Sequence, residues 1–367
     1  MKLAFALVAY FATAMFLVSV LSAQTIIDPH ASLIDVPARQ AALRSTTDPH
    51  LREAIGALRS CAAMPLVPAP TGPIEIPHHY LKGSFGPINP AEAVATRAYS
   101  AYERRITSGM NEFVATGSHA EAECALEQMD AWAKGGALLN YDPKTFSQSW
   151  YQAEWTLTSS GVTMSVLVND AALDPVEVKR VTAWLNTGAH RLISFEKPGE
   201  LGNNHHYFRA LAAISIGVVS NDNTLFQFGV ETYHQAISEI DTLGAFPREM
   251  ARHDRAIHYQ AFALQPLIPI AAFAERQHVD LYGYTEHGHT LRNAIVFFGR
   301  AVEDPSLVKT YTDDQQIVDF NGSDYAPFQF YVARFGIDGL PASVVNGVRE
   351  NTVATRIGGN TTVLAGK

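Results

Sequence analysis

The sequence predicts an all-α protein of antiparallel helical hairpins, on three observations. Apolar residues recur at helical spacing in successive segments of about 12–18 residues from Pro90 onward. The connectors between these segments are short and polar, which folds neighbouring helices back on each other. Alternation of period two is scarce, so no large sheet is expected. The chain has 367 residues, 47% of them hydrophobic, with 19 Phe, 14 Tyr and 4 Trp, enough to bury a substantial core. A prior of about 150 residues per domain suggests about two domains; one large helical domain over 24–367 fits the pattern better.

Taken in order, Lys2, the apolar run Leu3 to Leu21 and the small residues Ser22-Ala23 form the three parts of a secretory signal. Cleavage after Ala23 leaves 367 − 23 = 344 residues. The alternative is an uncleaved anchor, since the run approaches the ~20 residues that span a bilayer. The expected address is the periplasm, with no membrane association once the signal is removed. One capping helix is expected around Ala38 to Leu58. Pro65, Pro68, Pro70, Pro73, Pro77, Pro87 and Pro90 then exclude regular helix. Within this stretch, residues 72–90 carry His78, His79, Tyr80 and Lys82 and read as a lid loop. Ala125, Met129, Trp132 and Gly136 follow a helical stripe stopped by Gly135-Gly136. Asp174-Pro175 is an N-cap with a first-turn proline, followed by Val178, Val181, Trp184 and Leu185 on one side. His206 to Val219, Leu225 to Ile240, Arg248 to Leu264 and His289 to Val302 complete the set of expected helices.

Composition excludes several functions. Against 27 Lys+Arg stand 36 Asp+Glu, a formal charge of −9, which disfavours nucleic acid and anionic membranes as partners. A polyanionic substrate would need a local basic cleft. Cys61 and Cys124 either pair across a 63-residue interval in an oxidising compartment or remain two buried thiols. The 14 His include no His-Glu-x-x-His, and there is no calcium-loop, phosphate-loop or Gly-x-Ser-x-Gly pattern. No pair of carboxylates stands out as a glycosidase would require.

Two segments carry chemistry. Gly202-Asn203-Asn204-His205-His206-Tyr207-Phe208-Arg209 leads into the apolar run Ala210 to Val219, placing amides and imidazoles at a helix start where backbone donors can converge on an anion. In Phe246-Pro247-Arg248-Glu249-Met250-Ala251-Arg252-His253-Asp254-Arg255-Ala256-Ile257-His258-Tyr259, Arg252 and Tyr259 are seven residues apart. On one helix they would share a face about 10 Å apart along the axis. Arg255 lies between them on nearly the same side. Taken singly, these residues are better read as an N-cap with a surface histidine, a salt bridge from Arg252 to Glu249 and a core phenol.

Together the segments resemble the alginate lyase family of periplasmic polyuronate lyases. Glu123-Cys124-Ala125-Leu126 with Met129-Asp130-Ala131-Trp132-Ala133 is similar to its early helix, and Asn203-Asn204-His205 with Tyr207 to its Asn-Asn-His signature. Val219-Ser220-Asn221 with Leu225-Phe226, then Arg252, Arg255, Tyr259 and Ala263-Leu264-Gln265-Pro266-Leu267, continue the match in order. The resemblance runs from about Cys61 to about Tyr331. It implies an incomplete α/α toroid around a cleft, no cofactor, an anionic polysaccharide as partner, and a monomer. By position, Asn204 would bind and neutralise the uronate carboxylate, with His205 supporting it or acting as base. Arg252 would pair with the carboxylate and steady the phenol, and Tyr259 would handle the proton. Asn203, Tyr207, Arg255 and a lid residue, Tyr80 or Lys82, would bind substrate. Phe208 and His206 depart from the family pattern beside the active histidine.

The chemistry explains these residue types. Removing the weakly acidic C5 proton of a uronate puts charge on its carboxylate, which an amide and a guanidinium stabilise. A phenol beside Arg⁺ is expected to have a lowered pKa. In mannuronate and glucuronate one tyrosine can take the C5 proton and return it to the C4 oxygen. Guluronate, inverted at C5, needs a base on the other face, for which His205 is the candidate. Poly-mannuronate is the favoured substrate. The alternatives are poly-glucuronate or a glucuronate-containing exopolysaccharide, and a non-catalytic polyuronate-binding protein.

Overall fold

The computed structural model describes residues 24–82, 86–197, 199 and 201–367. The expected signal segment, 1–23, lies outside the described residues.

Two short helices stand where one was expected: α1 (Val36–Ser45) and α2 (Pro49–Gly56). Asp48 accepts the Leu51 backbone N–H at 2.9 Å and Pro49 occupies the first turn, so a new helix starts there. The proline-rich stretch passes through a 3₁₀ turn (Cys61–Ala63) and stays irregular until α3 (Pro90–Ala95). Cys61 and Cys124 form a disulfide with Cα atoms 6.1 Å apart, which resolves the choice left open above. It fastens this irregular stretch to α5 (His119–Lys134), which follows α4 (Arg97–Thr116) after a two-residue turn.

The remaining long helices are α6 (Ser147–Leu167), α7 (Pro175–Ile193), α8 (Asn204–Ser220), α9 (Asn223–Ser238), α11 (Ala256–Arg276) and α12 (Leu291–Glu303), with the single turn α10 (Pro247–Met250) before α11. Asp174 caps α7 through the Val176 N–H at 2.8 Å, and Asp222 caps α9. Helix α8 is the hub, packing against α6, α7, α9 and α11. Gly161 of α6 permits the closest approach: a Cβ there would lie 2.4 Å from Ser215 Oγ on α8. Helix α6 shows no polar stripe because it is buried on nearly every side, Glu154, Thr156, Ser159 and Ser160 included. Ser160 bonds backward to the Thr156 carbonyl and Thr158 reaches across to the Phe208 carbonyl of α8 at 3.1 Å.

The expected continuous helix from Arg248 to Leu264 is broken. After α10 the chain turns at Ala251-Arg252, makes a 3₁₀ turn over His253–Arg255 with His253 at φ +56°, and only then enters α11. A two-residue antiparallel pair, Val353–Ala354 with Gly359–Asn360, closes a small hairpin near the C-terminus. Asn111 of α4 ties it down, donating to the Gly358 carbonyl at 2.9 Å and accepting from the Asn360 N–H at 2.7 Å. Among the described residues no helix is long and apolar enough to cross a membrane.

Candidate active site

A cavity of about 770 Å³ opens where the proline-rich loop, α6, the start of α8, the α10–α11 turn and the C-terminal hairpin meet. Its wall includes Tyr80, Tyr151, Trp155, Asn203, His205, Arg248, Arg252, Arg255, Tyr259 and Arg356. Four arginines around one opening supply the basic cleft that an acidic protein needs for a polyanion.

The break before α11 shapes the site. Because Arg252 sits on a turn, its side chain folds back and places Cζ 3.7 Å from the centre of the Tyr259 ring. The two groups meet face to face instead of standing two helical turns apart. The Tyr259 hydroxyl shares a 2.9 Å hydrogen bond with the Tyr80 hydroxyl, which also accepts from Arg255 Nη1 at 2.8 Å. The loop tyrosine thus bridges Arg255 of the turn and Tyr259 of α11. Lys82 is exposed and is not among the cavity-lining residues.

The expectation of a lowered Tyr259 pKa is not met. Burial pushes the phenol up well past its usual range, and the Arg252 charge opposes this without cancelling it. Desolvation wins because Tyr259 is only 8% exposed.

Helix α8 begins at the cavity edge. Asn203 caps it, accepting the His206 N–H at 3.0 Å. The start of this helix is not a vacant anion site. Glu249 of α10 already occupies it, accepting the Asn204 backbone N–H at 2.6 Å and the Asn204 side-chain amide at 3.1 Å on each oxygen. Asn204 has no exposed surface, and its Oδ1 lacks a hydrogen-bond partner. Burial raises the Glu249 pKa, opposed by these Asn204 bonds and by Arg252. Tyr207 also departs from its expected place. It is 1% exposed, packed against Phe246 with ring centres 5.7 Å apart, and lies beneath the cavity. It stands four residues, one helical turn, along α8 from the Asn203 cap, which places it deeper along the helix than the cavity edge.

His205 does face the cavity. Its ring stacks on Tyr151 with centroids 3.6 Å apart, and its Nδ1 lies 2.5 Å from Glu154 Oε1. Burial holds its pKa well below the usual histidine value, and Arg209, Arg252 and Arg356 add to the effect. Trp155 lies beside His205 with ring centres 5.7 Å apart, and Arg356 stands over Trp155 with Cζ 3.7 Å from the ring centre. Among the described residues no group of His, Cys, Asp or Glu is arranged to hold a metal ion.

The pattern of the alginate lyase family matches residues 28–308. The chain belongs to the alginate lyase family. As a polysaccharide lyase it is similar to a polysaccharide lyase of Stenotrophomonas maltophilia, 30% identical over 67% of this chain and 74% of that protein. An alginate lyase of Pseudomonas paraeruginosa is 30% identical over 75% of this chain and 78% of that protein. The crystal structure of alginate lyase A1-III from Sphingomonas species A1 superposes with a TM-score of 0.86 at 36% identity, covering 94% of this chain and 97% of that one. The helical hairpins around the cleft are therefore an α/α toroid. That enzyme has also been solved in complex with a tetrasaccharide, at a TM-score of 0.88.

Several residues of this lyase's cleft were not legible as site residues. Glu154 and Trp155 lie on a helix with no amphipathic stripe, and Glu249 reads as an ordinary helix-surface acid. Arg356 lies beyond Tyr331, where the family resemblance stops. No local signal marks it; the hairpin fold alone brings it to the cleft.

Proposed function

We propose that this lyase cleaves β-1,4-linked polyuronate, with poly-mannuronate the favoured substrate, by β-elimination at the cavity lined by Arg252, Tyr259 and His205. The observation that carries the reading is the Arg252 guanidinium lying over the Tyr259 ring at the floor of a cleft rimmed by further arginines. Arg252 neutralises the carboxylate of the cleaved residue, and His205 supports it from the other side of the opening. Neutralisation stabilises the charge that develops as the C5 proton leaves. Tyr259 reacts as the phenolate: its oxygen takes that proton, and the phenol so formed returns it to the departing C4 oxygen. Arg255 holds the Tyr80 hydroxyl against Tyr259, leaving the Tyr80 proton available to the Tyr259 oxygen as charge builds there. Asn203, at the cap of α8, and Arg255 bind the neighbouring sugar.

Asn204 is assigned a different place from the one expected of it. Its amide hydrogens are directed at Glu249, so it shapes the cleft wall between His205 and Arg252 while these two meet the carboxylate. The loop around 72–90 acts as the lid through Tyr80, and Lys82 stays outside. The chain works as a monomeric single domain, 24–367, exported to the periplasm after loss of residues 1–23. The tetrasaccharide bound by the A1-III enzyme supports an oligomeric uronate as substrate here.

The test is a panel of poly-mannuronate, poly-guluronate and poly-glucuronate, read by the ultraviolet absorbance of unsaturated ends. Poly-mannuronate should give the highest kcat/KM. Tyr259→Phe should abolish the absorbance while retaining polysaccharide binding. Full activity of that variant removes Tyr259 from the mechanism; preference for poly-glucuronate overturns the substrate assignment.

A further inference from the structure

Behind His205 lies a buried chain of charged groups that the mechanism above does not use. Glu154 of α6 has no exposed surface, and it bonds His205 Nδ1 through Oε1 at 2.5 Å and Arg209 Nη1 through Oε2 at 2.8 Å. Arg209 gives its Nε–H to Glu196, whose second oxygen lies 3.1 Å from His206 Nδ1. The Arg209 guanidinium also lies over Trp150, 3.9 Å from the ring centre. His205 is itself 17% exposed in its side chain, through the edge that faces the cleft.

Charge counting decides what this chain does. Arg209 is already answered by Glu196, to which a neutral His206 adds a hydrogen bond and no charge. Were Glu154 also ionised beside a neutral His205, the buried cluster would hold an uncompensated negative charge, which burial strongly disfavours. One additional proton on the line between Glu154 Oε1 and His205 Nδ1 removes that charge. Whichever of the two atoms holds it, the remaining imidazole proton then sits on Nε2, the nitrogen turned away from Glu154 and toward the cleft.

We infer that Glu154 is a positioning residue that shares a proton with His205 Nδ1 and so fixes Nε2–H as a hydrogen-bond donor to the substrate carboxylate. Directions of titration agree: burial pushes Glu154 well above the usual carboxyl range, opposed by Arg209, and holds His205 well below the usual imidazole value. Glu196 keeps its charge, since His206 and Arg209 overcome the burial that pushes it up. The groups facing the dyad are Arg209 and Glu196 on its inner side and Tyr151, Arg252, Arg356 and His79 around the cleft. An imidazole presenting a lone pair at Nε2 would repel the carboxylate; one presenting N–H helps to neutralise it. The inference rests on the proposed contact between His205 and the carboxylate.

Glutamine distinguishes this arrangement from a buried carboxylate. Arg209 can only donate, so the side chain of Glu154→Gln must turn its oxygen to Arg209 and its NH₂ to Nδ1. That copies a protonated glutamate and preserves Nε2–H. Glu154→Gln should therefore keep kcat/KM within about threefold, whereas Glu154→Leu, which offers no partner, should lose about 10- to 100-fold. The alkaline limb of kcat/KM that reports loss of the shared proton should vanish in Glu154→Gln. In ¹⁵N-histidine NMR of the wild-type protein, the signal that disappears in His205→Ala should show a protonated Nε2. A bare Nε2 in that spectrum, or a folded Glu154→Gln as inactive as Glu154→Leu, overturns the inference. The spectrum decides it even if neither Glu154 variant folds. Full activity of His205→Ala would instead overturn the assigned contact with substrate, leaving the tautomer to be read separately.

Discussion

Replacing Arg252 by alanine removes the cation that lies over the ring of the reactive phenol, and the size of the effect can be worked from the geometry. The guanidinium carbon lies 3.7 Å above the Tyr259 ring centre. With the phenol oxygen about 2.8 Å from that centre, the charge-to-oxygen separation is about 4.6 Å, and at an effective dielectric of about 20 this gives about 3.6 kcal/mol. That is an upper bound of about 2.6 pK units on the stabilisation of the phenolate. Water entering the open cleft reduces it, to about 1.3 units if the effective dielectric doubles. The sign is fixed: burial has already raised the Tyr259 pKa, and losing the cation raises it further. If the ionised phenol is the base, kcat/KM rises with pH and levels off once Tyr259 ionises. Arg252→Ala should move that levelling point upward by about 1.3–2.6 units and lower kcat/KM at neutral pH by about 20- to 400-fold. Initial rates on poly-mannuronate, followed by ultraviolet absorbance from neutral to strongly alkaline pH, measure both. Arg252→Lys keeps the charge without the flat guanidinium and should recover most of the pH shift. A variant that loses rate with an unmoved pH profile would refute electrostatic coupling between Arg252 and Tyr259.

Tyr80→Phe deletes the hydroxyl between Arg255 and Tyr259 but keeps the ring in place, so kcat should fall about 5- to 10-fold with the fold intact. An unchanged kcat would remove the loop tyrosine from the proton path. Gly359 has φ +83°, and a Cβ there would sit 2.5 Å from Asn111 Oδ1, the atom that holds the Asn360 N–H. Gly359→Ala should cost about 1–3 kcal/mol and loosen the hairpin that carries Arg356. Thermal denaturation should show the lower stability, and kinetics should show a KM raised several-fold with kcat nearly kept. A larger loss in kcat than in affinity would mean that Arg356 acts on the reacting residue itself.

The sequence by itself determined the helical class, most of the long helices and the identity of the principal groups. Periodicity shows α5, α7, α9 and α12 because each buries one face and leaves another in water, whereas α8, buried along nearly its whole length, shows as a continuous apolar run. Capping shows where helices begin: Asp174-Pro175 opens α7 as written in the sequence, and Asp48-Pro49 divides the first helix in two. The disulfide was one of two readings of Cys61 and Cys124, since pairing depends on distance in space. Tertiary structure decided the rest. Helix α6 carries Glu154 and Trp155 without any stripe, because a helix buried on every side has no reason to alternate polar and apolar faces. The break at Ala251–Arg255 is set by a left-handed residue at His253 and by Glu249 reaching back to α8, contacts between segments 45 residues apart. That break turns a helix-face spacing into direct stacking of Arg252 on Tyr259. Burial, which no residue spacing records, reverses the direction expected for the Tyr259 pKa and takes Asn204 and Tyr207 out of the cleft. Which residues carry the chemistry is local information; which way each of them points is a property of the packed whole.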